Sequence, residues 1–109
     1  REEYKAAMVV DKIYEQLRNR DARLSKSKFS REYLNKDRNY WFVCRYNNTD
    51  ISNNALLSLY GNLRRYSGIW LEMSEDVSTR NAAHYKERHR FMSGLAEVVW
   101  GEIERRALS

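Results

Sequence analysis

The chain contains no proline and only four glycines in 109 residues. Sheet proteins of this size need many tight turns, and the residues that make them are scarce here. Backbone punctuation this sparse favours a few long helices over many short strands. A length of 109 residues suits one domain with a modest core. Hydrophobic residues make up 42% of the chain, enough to drive collapse rather than disorder. The expected class is all-α, a bundle of four to five helices.

The apolar periodicity locates them. Val10, Ile13, Tyr14 and Leu17 recur at helical spacing, and Tyr4, Ala7 and Met8 extend the stripe backwards, so residues 2–18 read as a first helix. Polar residues 19–25 break the rhythm. Ser25 or Ser27 can cap a second helix that turns Phe29, Tyr33 and Leu34 inward. Asn35 then occupies the position at which a left-handed residue stops a helix. After a short turn at 36–38, a third helix is expected over about 39–47, with Tyr40, Val43 and Cys44 inward. Ser52 or Asn53 caps a fourth, carrying Leu56, Leu59, Tyr60 and Leu63. Ser67-Gly68 reads as a boundary, dividing a core at residues 1–66 from a linker and long C-terminal helix at 67–109, all within one structural domain. That last helix, about 79–107, carries Tyr85, His89, Met92, Ala96, Val99 and Ile103 at alternating spacings of four and three. Such a seam packs one helix on another. At ~1.5 Å per residue the helix is about 40 Å long, and its surplus length points to pairing with a twin in a homodimer.

Charge is localised. Between Arg18 and Arg45 stand nine lysines and arginines against three carboxylates, Asp21, Glu32 and Asp37; from Ser67 onward acids outnumber bases by one. A confined basic excess is the electrostatic footprint of a phosphate-binding surface, although a solvated basic face has the same composition. Two short helices joined by a tight turn, with a left-handed residue in it, form a helix-turn-helix, whose second helix enters the major groove. From Arg38 to Asn48 there is no carboxylate. Arg38, Asn39, Trp41, Phe42, Arg45 and Asn47 are the candidate base contacts, polar donors and apolar groups suited to base edges and thymine methyls. Lys26, Ser27, Lys28, Arg31 and Lys36 are the candidate phosphate contacts.

Ser27-Lys28-Phe29-Ser30-Arg31-Glu32-Tyr33-Leu34-Asn35, followed by Asn39-Tyr40-Trp41 and then Asn54-Ala55-Leu56-Leu57-Ser58-Leu59, resembles the phage-repressor-type helix-turn-helix domain. It also resembles small bacterial proteins with an FSR-x-(Y/W)-L-G signature. The resemblance covers about residues 10–65 and implies a DNA-binding fold of four or five helices, usually dimeric, in bacterial or phage transcription control. Asn35 stands where that family has glycine, and Trp41 and Phe42 are bulky for base-contacting positions.

Other chemistry finds little support. Cys44 is alone, which excludes an internal disulfide and suits a small buried hydrophobe. His84 and His89 are five apart, whereas helical zinc pairs prefer a spacing of four. Glu97, Glu102 and Glu104 read as an exposed charged face. No phosphate loop or nucleophile elbow is present, so neither an enzyme, a cofactor, a metal nor a small-molecule substrate is expected. No apolar run approaches a membrane span. The expected activity is sequence-selective binding of double-stranded DNA in the cytoplasm, at the nucleoid. The rival is a protein-interaction adaptor anchored by Trp41, Phe42 and Trp70, aromatics being the residues that dominate interfaces.

Overall fold

The computed structural model describes residues 5–76, 78 and 80–109, with side chains from residue 9 onward. Tyr4 and Thr79 lie outside the described residues, as do the side chains of Ala7 and Met8. Among the described residues there are five helices and no strand: α1 (Lys5–Arg20), α2 (Lys26–Glu32), α3 (Tyr40–Tyr46), α4 (Asn53–Glu75) and α5 (Ala82–Leu108). The molecule is elongated, 48 × 31 × 20 Å, because two of its helices are much longer than the other three.

The α1 stripe does what its periodicity demands. Val10, Ile13, Tyr14 and Leu17 are all buried, and the Tyr14 hydroxyl donates to the Leu24 carbonyl at 3.0 Å, closing the α1–α2 connection. The Tyr14 ring meets Phe29 of α2 at 5.3 Å and Trp41 of α3 at 4.7 Å, and Phe29 meets Trp41 at 5.0 Å. One aromatic triangle therefore ties the three short helices together. Tilted pairs at such separations add about 0.5–1.5 kcal/mol each beyond the area they bury.

The two long helices form an antiparallel hairpin. α4 does not stop at Ser67-Gly68 but continues to Glu75, so the expected boundary between residues 66 and 67 falls inside a helix. The reason is tertiary. Ser67 is buried, and its hydroxyl lies 2.6 Å from Ser93 Oγ and 2.8 Å from His89 Nδ1, so α5 satisfies the polar side chain that would otherwise break the helix. Nothing crowds Gly68. Trp70 stacks on Tyr85 at 5.5 Å further along the same seam.

The far end of the hairpin is held by charge. Glu102 was expected on an exposed face; it is instead buried, only 5% exposed. Arg105 clamps its carboxylate through two bonds of 3.0 and 2.7 Å, and Arg106 adds a third at 3.4 Å. Arg106 also donates to Asn53 Oδ1 at 2.7 Å, pinning the end of α5 to the start of α4. The two following arginines make that burial tolerable. Arg105 first, then Arg106, hold the Glu102 carboxyl below the usual carboxylate range against the opposing effect of burial.

Candidate nucleic-acid interface

The corner between α2 and α3 is built by short polar side chains. Ser25 caps α2, its Oγ accepting from Lys28 N at 3.1 Å. Phe29 and Ser30 face inward, and Tyr33 and Leu34 bury the exit. Asn35 then adopts φ 55°, the left-handed conformation that its position required. Asn62 on α4 donates to the Tyr33 carbonyl at 3.0 Å and to Asn35 Oδ1 at 3.2 Å, stapling the corner to the long hairpin. The connection spans residues 33–39, longer than the expected turn at 36–38. Asp37 closes it by accepting from Asn39 N at 2.6 Å.

α3 is then oriented by two hydroxyls. The Ser30 hydroxyl, fully buried, accepts from Trp41 N at 3.1 Å. The Tyr40 hydroxyl accepts from Ser52 N at 2.8 Å, which fixes the following connection. A second left-handed residue, Asn48 at φ 59°, lies just beyond α3.

The helix is rotated from the expected setting. Trp41 and Cys44 are buried, whereas Val43 is 47% exposed and Tyr40 half-buried. Trp41 belongs to the aromatic triangle and is excluded as a base contact or partner anchor. On a seven-residue helix written Tyr-Trp-Phe-Val-Cys-Arg-Tyr, nearly every face is apolar, so spacing cannot choose among them. The outward face consists of Asn39, Phe42, Val43, Tyr46 and Asn47. Phe42 and Tyr46 stack on each other at 6.3 Å and are 55% and 81% exposed; Tyr46 was missed as a surface residue of this helix. Arg45 turns back towards α1, where it is ion-paired with Asp11 and its guanidinium lies 5.5 Å from the Trp41 ring. It braces α3 rather than reaching outward.

The cations divide between two sides of α2. Lys26 lies beside Trp41 and Arg45, along a cleft shared by α1 and α3. Arg31 and Arg38 are exposed, Ser27 is half-buried, and Lys36 is half-buried with its ammonium 5.5 Å from the Tyr40 ring. Lys28 lines a different cleft, between α1, α2 and the α4–α5 hairpin, and pairs loosely with Glu32 at 3.9 Å. It is removed from the set that flanks α3.

The proposed dimer seam is occupied within the chain. Ala96 and Val99 are buried, Met92 and Ile103 pack against the core, Tyr85 stacks on Trp70, and His89 bonds Ser67. The four-three rhythm is real, but its partner is α4. The Ser67–His89 pair has the contacts of a nucleophile and base, yet Ser67 is only 4% exposed and bridges two helices. His84 faces elsewhere, accepting from Arg88 Nε at 3.1 Å. Among the described residues, no helix is long and apolar enough to cross a membrane.

No curated protein and no solved structure matches the chain. Residues 10–107 match a family of unknown function, DUF6626, and the chain belongs to that family.

Proposed function

We propose that this member of DUF6626 binds duplex DNA selectively, through the outward face of α3, and acts in transcription control as the phage-repressor resemblance implies. One observation carries the reading. α3 stands with one face on the aromatic triangle and the opposite face in solvent, and that solvent face has no carboxylate. Asn39 and Asn47 supply amides at its two ends, suited to adenine edges, and Phe42, Val43 and Tyr46 supply apolar contact for thymine methyls. Lys26, Arg31 and Lys36 flank it as phosphate contacts, and Arg38, a candidate base contact from the sequence, joins them because it lies in the connection ahead of α3 and not on the helix. Two acids beside α3 are already engaged, Asp11 with Arg45 and Asp37 with the backbone of Asn39.

Selection of bound duplexes from a random pool tests this. A defined motif is expected, and affinity for it should fall about 100-fold between 50 and 200 mM salt if four cations each contact one phosphate. Arg38→Ala should weaken all duplexes alike, while Asn47→Ala should relax preference at one position. A pool that returns no motif, or binding indifferent to salt, overturns the proposal.

The stacked and exposed Phe42–Tyr46 pair beside Val43 favours a second reading, an adaptor that buries this face in a partner protein. Exposed apolar patches of this kind mark interaction sites. Such an interface responds weakly to salt and strongly to Tyr46→Ala.

A further inference from the structure

A cleft of about 230 Å³ opens between the end of α1, the side of α2 and the middle of the α4–α5 hairpin. It is not part of the α3 surface. Four aromatic rings wall it: Tyr33 after α2, Tyr66 and Trp70 on α4, and Phe91 on α5. Leu17, Leu24 and Met92 supply apolar lining. That lining suits a flat, apolar body of one or two rings, since ligand sites combine apolar walls with a few fixed polar groups.

The polar groups in the cleft differ in what they have left to give. Arg20 is spent: its guanidinium forks onto Glu87 at 2.7 and 2.8 Å and lies 3.7 Å from the Phe91 centroid. Arg88 is half spent. Its Nε donates to His84, and its plane lies 4.9 Å from the Trp70 ring, but its two terminal nitrogens have no partner among the described residues. The Lys28 ammonium has only the loose contact with Glu32 at 3.9 Å. Asp21 is turned to its own loop, where Oδ1 accepts from Arg23 N at 3.1 Å. The Tyr33 and Tyr66 hydroxyls are bonded to no other described residue. Burial above all, and then Tyr66, Glu32 and Asp21, push the Tyr33 hydroxyl far above the ordinary tyrosine value, so it stays a neutral donor at every physiological pH. The unspent donors are thus a guanidinium edge, an ammonium and two hydroxyls; against these two cations stands, besides Asp21, one carboxylate, Glu32, which shares the loose contact with Lys28.

We propose that this cleft is a binding site for a small aromatic carboxylate, its ring among Tyr33, Tyr66 and Trp70 and its carboxylate on the free edge of Arg88 and on Lys28. A guanidinium edge pairs with a planar carboxylate through two parallel bonds. A cationic ligand meets arginines already lying on three of the rings: Arg20 on Phe91, Arg65 on Tyr66 and Arg88 on Trp70. The site stands whether or not α3 binds DNA.

Titration calorimetry on the full chain with phenylacetate and indole-3-acetate tests the proposal. Phenylacetamide and phenethylamine serve as neutral and cationic controls carrying the same ring. Saturable binding of the carboxylates is expected, at least ~10-fold tighter than either control. Arg88→Gln and Lys28→Met should each weaken it about 10-fold, and Phe42→Ala should leave it unchanged. Lys28→Met keeps the test sound if Arg88→Gln disturbs packing on Trp70, and a thermal melt of each variant separates lost folding from lost binding. No saturation by about 10 mM carboxylate, phenethylamine binding as tightly as phenylacetate, or unchanged affinity in a folded Lys28→Met variant would each overturn it.

Discussion

Trp41 and Phe42 are neighbours of similar size, and the structure gives them opposite roles. Trp41 is 3% exposed, touches both Tyr14 and Phe29 with its ring, and has its backbone N–H bonded to buried Ser30. Trp41→Ala removes the central ring of the triangle and leaves a void that three short helices cannot close. Truncations of this kind cost ~3–5 kcal/mol, and the two lost ring pairs place this one near the upper end. Against a total stability of ~5–15 kcal/mol for a domain this size, that is from about a third to the whole of it, so the urea midpoint should fall steeply. Phe42 is 55% exposed and stacks on Tyr46. Phe42→Ala should change stability by no more than ~0.5 kcal/mol while weakening whatever α3 binds. Urea denaturation followed by far-UV circular dichroism reports both without relying on tryptophan fluorescence. A Trp41→Ala cost below ~1 kcal/mol, or a Phe42→Ala cost above ~2 kcal/mol, would refute the assigned rotation of α3.

Three other outcomes follow from the same coordinates. Glu102→Gln should cost ~1–3 kcal/mol at neutral pH by leaving the Arg105 and Arg106 donors short of an acceptor charge. Because the folded-state carboxyl titrates lower than the unfolded one, the wild type's advantage is full above the unfolded value of about 4.3. It disappears as pH falls through the lower folded value, so denaturation of both proteins across acid pH should show the gap closing. Asn35→Ala should cost ~1–2 kcal/mol, since a Cβ without a polar group is disfavoured at φ 55°, and Asn35→Gly should cost less. Val99→Asp places a carboxylate at a position with no exposure in the α4–α5 seam. It should unfold the chain, seen as lost helical dichroism; a folded monomer recovered from a wild-type dimer would show instead that the seam joins two chains.

What could be read from the sequence followed the strength of each local signal. The α1 stripe had four apolar residues in register and one answer. The left-handed Asn35 is chemically specified and stands where expected; of the two candidates to cap α4, Ser52 or Asn53, it is Ser52 whose Oγ accepts from Ala55 N, at 3.1 Å. The errors came where a partner decided the outcome. Ser67-Gly68 looks like a break until His89 and Ser93 arrive to satisfy the serine. Glu102 looks like surface until Arg105 and Arg106 fold back on it. The α5 seam announced a helical partner but not whose, and α4 proved long enough to supply it. The inward face of α3 is illegible because its residues are apolar in nearly every direction, and Tyr14 and Phe29, distant in sequence, select Trp41. For the same reason the aromatic cleft left no trace in the sequence: its walls come from four helices.

The central claim is that the solvent face of α3 meets a DNA groove. Amide chemical-shift mapping, with the selected duplex titrated into labelled protein, measures that contact residue by residue. Shifts should concentrate at Lys26, Arg31 and from Lys36 to Asn47, with the outer surfaces of α4 and α5 silent. Shifts confined to the hairpin, with Asn39, Phe42, Val43 and Tyr46 unmoved at saturation, would contradict it.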